Sequence, residues 1–224
     1  MFEHLHDHID IYCERTGPEF WSEPVNALTN LAFVVAGLWG LALVRRRGGD
    51  AFAEVLCWWV VAIGIGSGLF HTFANELTKW ADILPIAVFT LVYTWFNLRR
   101  YMGLPLPRAL AIFVTFYLVA ALLTVLVPDW LRDASNGSTG YLPPFLALVF
   151  FGGLVIRSGN SAGWYNIAAA AIFVLSVTFR ALDPVVCDGF PIGTHFLWHT
   201  LNGLMLGVLL LGVSRHFGSR MPDH

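Results

Sequence analysis

The chain is poor in charge: only 12% of its 224 residues are Asp, Glu, Lys or Arg, about half the share of a soluble domain, while 57% are hydrophobic. That scarcity excludes an ordinary water-soluble fold. A formal net charge of -2, with no Gly-rich phosphate loop and no basic surface, argues against nucleic acid as a partner. The three cysteines, Cys13, Cys57 and Cys187, are too few for a disulfide framework and wrongly spaced for a CxxC metal knuckle. A basic-then-apolar leader is also missing, since residues 1–11 are acidic and His-rich, so the mature chain is expected to begin near Met1. Without an internal repeat or a long linker, residues 1–224 are expected to form one membrane domain, with 1–23 as an outer acidic segment.

What the chain does have is long apolar runs. About 20 apolar residues in a helix cross a hydrocarbon core of about 30 Å. Seven such runs occur, at approximately 24–44, 51–73, 80–98, 109–127, 141–156, 163–182 and 193–213. The predicted fold is therefore all-α, a seven-transmembrane-helix bundle. The fifth run is the weakest, since Pro143, Pro144, Gly152 and Gly153 suggest a short or kinked helix. Arginines 45, 46, 47, 99, 100, 108, 157, 215 and 220 fall on one side, whereas only Arg15, Lys79, Arg132 and Arg180 fall on the other. Retention of positive charge in the cytoplasm then predicts an outer or lumenal amino terminus and a cytoplasmic carboxyl terminus, Met221 to His224. Trp21, Trp80, Trp130 and Trp164 stand near span ends, as interfacial anchors do.

Against this apolar background a few polar residues stand out. Ser67 and His71 are four residues apart near the end of the second span, and His195 and His199 repeat that spacing at the start of the seventh. Helical geometry puts each pair on one face, the way helices present paired metal ligands. Asp82 lies about a turn inside the third span, where a carboxylate costs about 2.5 to 3.5 kcal/mol on insertion scales. The second span runs outward and ends at His71, while the third and seventh run inward and begin near Asp82 and His195, so all five residues share one depth. Three neutral imidazoles would leave the fourth position of a tetrahedral Zn2+ open for water, which then approaches a pKa of about 7. Asp82 would accept that water's proton and pass it to the leaving group, and Ser67 would donate to the oxyanion. This inventory suits amide or ester hydrolysis. The histidines at 4, 6, 8, 216 and 224 receive no role.

The stretches Glu19–Asn30 (EFWSEPVNALTN), Ser67–His71 (SGLFH), Thr78–Pro85 (TKWADILP) and Phe190–Gly203 (FPIGTHFLWHTLNG) resemble the integral-membrane alkaline ceramidases, part of a wider superfamily that includes the progestin and adiponectin receptors. The resemblance covers nearly the whole chain. It implies that His71, His195 and His199 are zinc ligands, Asp82 the proton shuttle and Ser67 the oxyanion helper, with the amide bond of ceramide as the target. It also implies a calcium site in the acidic amino-terminal segment, with Asp10, Glu14 and Glu19 as candidate ligands. Here the sequence departs from the family, because the spacing from Glu14 to Glu19 is shortened and Thr16 replaces an expected amide side chain. The family ties its amino terminus to the loop before its last helix. Cys13 and Cys187 share the outer side here, so an oxidising compartment favours the same pairing, while Cys57 inside the second span is expected to be an apolar filler.

The expected function is a zinc-dependent intramembrane hydrolase that cleaves ceramide or a related N-acyl lipid, entering laterally from the bilayer, to a fatty acid and an amine. The alternative is a receptor-like member of the same superfamily with a largely structural zinc. A transporter is disfavoured by the lack of repeated halves or paired broken helices. Compact loops and the absence of a retrieval sequence at the carboxyl terminus fit a bacterial inner membrane with the zinc site toward the periplasm. Oligomeric state is not legible.

Overall fold

A computed structural model describes residues 5–216; His4 and the carboxyl-terminal residues 221–224 lie outside them. The elements run α1 (Pro24–Thr29), α2 (Leu31–Arg46), α3 (Ala51–Phe73), α4 (Glu76–Phe96), a π-helical turn (Asn97–Tyr101), α5 (Leu106–Val125), α6 (Asp129–Ala134), a 3-10 turn (Ser138–Tyr141), α7 (Leu142–Arg157), α8 (Gly163–Val186) and α9 (His195–His216). Seven helices are long and apolar enough to cross a membrane, with α1 and α2 forming one span and α6 none. The protein is an integral multi-pass membrane protein.

Local chemistry sets the corners. Asp50 caps α3 by accepting the Ala53 N–H at 3.0 Å, and Asn75 with Thr78 forms a reciprocal capping box on α4. The amino-terminal segment is pinned across this same corner, where the Ile9 N–H donates to the Ala74 carbonyl and the Leu77 N–H to that of Leu5. α9 is the central helix, with 61% of its most apolar window buried, whereas α5 rides on the periphery with 11%. A core of Phe33, Leu56, Ile63, Phe96, Leu209 and their neighbours fills the centre.

Several expected boundaries move. The third span begins at Glu76 rather than residue 80, because the capping box starts the helix earlier, and α8 continues past 182 to Val186. The fifth span is a regular helix: its prolines lie in the first turn of α7, where a missing N–H costs nothing. The loop 128–140 contains α6 and most of the 3-10 turn. The tryptophans expected at the interfaces, Trp21, Trp80, Trp130 and Trp164, are all exposed on the bundle surface.

Candidate metal centre and catalytic pair

His71 ends α3 and His195 and His199 open α9, so two helices deliver three imidazoles to one point. A ring nitrogen from each lies within 4.8 Å of the others, and all three residues are buried. One nitrogen of each ring has no hydrogen-bond partner: Nε2 of His71, Nδ1 of His195 and Nε2 of His199. Buried imidazole nitrogens are rarely left unpaired. Three orphans converging on one point are what a tetrahedral cation needs, so the donor set fits a metal such as zinc.

The opposite edges of two rings are held. Nδ1 of His71 lies 2.6 Å from the Glu23 carboxylate, which fixes the proton there and leaves Nε2 with a free lone pair. Nδ1 of His199 lies 3.0 Å from Thr29 Oγ1, and that hydroxyl donates onward to the Val25 carbonyl at 2.8 Å. A hydroxyl that donates to a carbonyl can accept from the ring, so His199 also presents a bare Nε2.

Glu23 is neutralised from behind. Arg15 is buried, its Nε bonds Glu23 Oε1, and its other nitrogens donate to the carbonyls of Gly17 and His71, each at 3.0 Å. Burial by itself would raise the Glu23 carboxyl, but the bonds and charges of His71 and Arg15 outweigh it and hold the group below the usual carboxylate range. Glu14 has a different task. Its two oxygens accept the N–H groups of Val25 and Asn26 at 2.7 and 2.8 Å, capping α1 from outside the helix. Burial pushes the Glu14 carboxyl up, and these two bonds oppose the rise.

The proposed calcium ligands are not brought together. Asp10 and Glu19 are exposed and Glu14 is committed to α1. Among the described residues, the group of three or more His, Cys, Asp or Glu that converges is the three histidines.

Ser67 and Asp82 face each other across the α3–α4 contact, close enough for the hydroxyl to act on the carboxyl. Gly66 makes this possible, because a Cβ there would collide with the Ala81 carbonyl. The amino-terminal segment closes the other side. Tyr12 stacks on His195 with ring centroids 3.7 Å apart and approaches His71 at 5.3 Å. Its hold is double, through the Cys13–Cys187 disulfide with Cα atoms 5.2 Å apart and through Asp183. That buried carboxylate accepts N–H bonds from Thr194 at 2.6 Å, His195 at 2.9 Å and Cys13 at 3.1 Å, capping α9 and anchoring the lid at once. Cys57 is free and buried in the core, as expected of a filler.

The Ceramidase family model matches residues 12–215, nearly the whole chain. This chain belongs to the ceramidase family. Membership implies a hydrolase acting on amide bonds, and the span matched runs from Tyr12 to the end of α9. No curated protein matches the sequence. The family resemblance identifies the histidines, Ser67 and Asp82. It did not bring out Glu23, Arg15, Thr29, Tyr12 or Asp183, whose roles depend on contacts between distant parts of the chain. The acidic residue before Pro24 and the buried acid before Pro184 were the available signals, since each places a carboxylate at the edge of, or inside, apolar sequence.

Proposed function

We propose that this ceramidase-family protein is a zinc-dependent intramembrane amidase that cleaves ceramide or a related N-acyl lipid to a fatty acid and a sphingoid or other amine. The observation that carries this reading is the convergence of three unpartnered imidazole nitrogens beside the Ser67–Asp82 pair. Zinc held by three neutral imidazoles keeps one position open, where it acidifies water and polarises a carbonyl.

The chain's own residues supply the remaining chemistry. Asp82 takes the proton from the attacking water, then gives it to the amide nitrogen as the C–N bond breaks, so that an acid and an amine leave. Ser67 has a single hydroxyl proton, which cannot serve Asp82 and an oxyanion together. Once Asp82 is protonated it becomes the donor to Ser67 Oγ, and the Ser67 proton is released to the oxyanion. Proton uptake and oxyanion stabilisation are thereby linked through one hydrogen bond.

A narrow cavity of about 70 Å3 supports a lipid substrate. Ser67 stands on its wall, apolar residues such as Ile63, Phe89, Leu148 and Leu209 line it, and Asn97 and Asn166 close its far end. Its wall follows α4 from Ile86 to Asn97, roughly 16 Å, the path along which the cavity would widen to take a long acyl chain. The match to the Ceramidase family model favours the enzyme over a receptor-like protein. The arginine asymmetry supports an outward-facing site, periplasmic if the host membrane is a bacterial inner membrane.

Zinc content and fatty-acid release from labelled ceramide and from a simple N-palmitoyl amide test the proposal in detergent-purified protein. Wild type should carry about one zinc per chain, as one three-histidine site requires, and release fatty acid. His199→Ala should lose both, while Asp82→Asn should keep zinc and lose turnover by about 100-fold or more. Zinc without turnover of any amide would overturn the amidase reading, and absence of zinc would overturn the site.

A further inference from the structure

Arg180 lies in the last third of α8, beside the metal end of the cavity. Its Nη1 donates to the Asn136 carbonyl at 2.8 Å and to Ser138 Oγ at 2.9 Å, and the guanidinium sits over the Tyr141 ring at 5.2 Å. The hydroxyls of Tyr12 and Tyr141 flank it. Both neighbours belong to the site: Tyr12 stacks on His195, and Tyr141 lines the cavity and packs on Trp198 with centroids 4.6 Å apart.

Two features of this arginine are unexplained by packing. No ion pair among the described residues includes it, although every candidate acid nearby is accounted for. Asp183, three residues along the same helix, is spent on the N–H groups of Thr194, His195 and Cys13, and Asp82 faces Ser67 and forms no ion pair with Arg180. In addition, its Nε is buried without any hydrogen-bond partner. The Nε edge is the one with which a guanidinium grips an oxyanion side-on. A half-buried cation whose Nε is shut off from water without a partner, flanked by two tyrosines of the site and paired with no protein anion, is arranged to receive an anion from outside the chain.

Resting on the amidase reading, we infer that Arg180 recognises an oxyanion on the amine half of the substrate, so that the preferred lipid is an acidic N-acyl amide bearing a carboxylate, sulfonate or phosphate. With the acyl tail in the cavity and the amide at the histidines, the amine half extends toward Tyr141, Tyr12 and Arg180. A neutral headgroup leaves Nε unsatisfied there; an acidic one pairs with it. The same chemistry has a second source, the carboxylate of the fatty-acid product, and the test separates the two.

Binding is read from tryptophan fluorescence, with Trp198 adjoining Tyr141, for zinc-loaded protein carrying Asp82→Asn to block turnover and otherwise wild type, in neutral detergent micelles. The ligands are N-palmitoylglycine, its neutral match N-palmitoylethanolamine, and palmitate. With Arg180 intact, this protein should bind the glycine amide about tenfold tighter than the ethanolamide or better, the difference a charge-assisted hydrogen bond implies. Arg180→Gln should bring that ratio near one, and Arg180→Lys, which keeps the charge without the fork, should fall between. A ratio near one with Arg180 intact, or one preserved in Arg180→Gln, overturns the inference. So does loss of palmitate affinity alone, which assigns the arginine to the product, and so does an equal weakening of all three ligands, which assigns it to holding the Asn136–Ser138 loop. Because binding is measured without turnover, a preference that requires Arg180, in a protein that hydrolyses no amide even with Asp82 intact, sinks the amidase reading while leaving the anion site standing.

Discussion

A metal-binding imidazole has two nitrogens, and whatever holds one decides what the other can do. Glu23 makes that decision for His71, with Arg15 keeping the carboxylate charged. Glu23→Gln should therefore weaken metal binding by about 10- to 100-fold, measured by chelator competition. The pH dependence has a definite sign. Because the Glu23 carboxyl is held below the ordinary carboxylate range, its contribution to stability is complete above that range and is lost as pH falls through the lowered value. Unfolding curves for wild type and Glu23→Gln should thus differ at neutral pH and converge in acid. The histidines, Ser67 and Asp82 were legible in sequence because helical spacing and the cost of polar groups in lipid mark them one at a time. Glu23 and Thr29 were not, since their partners lie 48 and 170 residues away and only the folded bundle pairs them. The acidic segment was hard to read for the same reason: of its candidate cation ligands Glu14 accepts the N–H groups of Val25 and Asn26, a contact that only the folded chain makes.

At the scale of the helix, placement of the proposed catalytic pair, Ser67 and Asp82, depends on how closely α3 approaches α4. Gly66 faces the Ala81 carbonyl, one residue from each member of the Ser67–Asp82 pair. Gly66→Ala must push the helices apart, and a displacement of about 1 Å at a reacting group costs about 100-fold in rate. The expected result is that loss in kcat with zinc stoichiometry retained, since His71 is anchored toward α1 through Glu23. Gly153→Ala is the matched control, because nothing lies within 4 Å of a Cβ there. The seven spans themselves were readable, because a run of apolar residues long enough to cross lipid has few other uses. Their ends were less so. Asn75 begins α4 a turn early through a cap made with Thr78, and the prolines of α7 fall where a helix tolerates them. Both are local hydrogen-bonding choices that hydropathy does not register.

For the molecule as a whole, the decisive feature is that its first described segment and its last helix close on the same point. The cysteines that join them are 174 residues apart in sequence. His195 and His199 are made near the end of synthesis, so the ligand set does not exist until the bundle is nearly complete, and the strap carrying Tyr12 then covers it. Biogenesis consequently sets two events against each other in time, arrival of the ion and oxidation of Cys13 with Cys187. A chain oxidised first would seal an empty centre; a chain loaded first would lock its ion in. Protein prepared metal-free should take up zinc faster when reduced than when oxidised, read by the rate of zinc uptake with a chromogenic chelator, and equal rates would show that the strap is no barrier. On this view the disulfide works as a latch on the order of maturation, and the redox state of the compartment helps decide what fraction of newly made chains becomes holoenzyme.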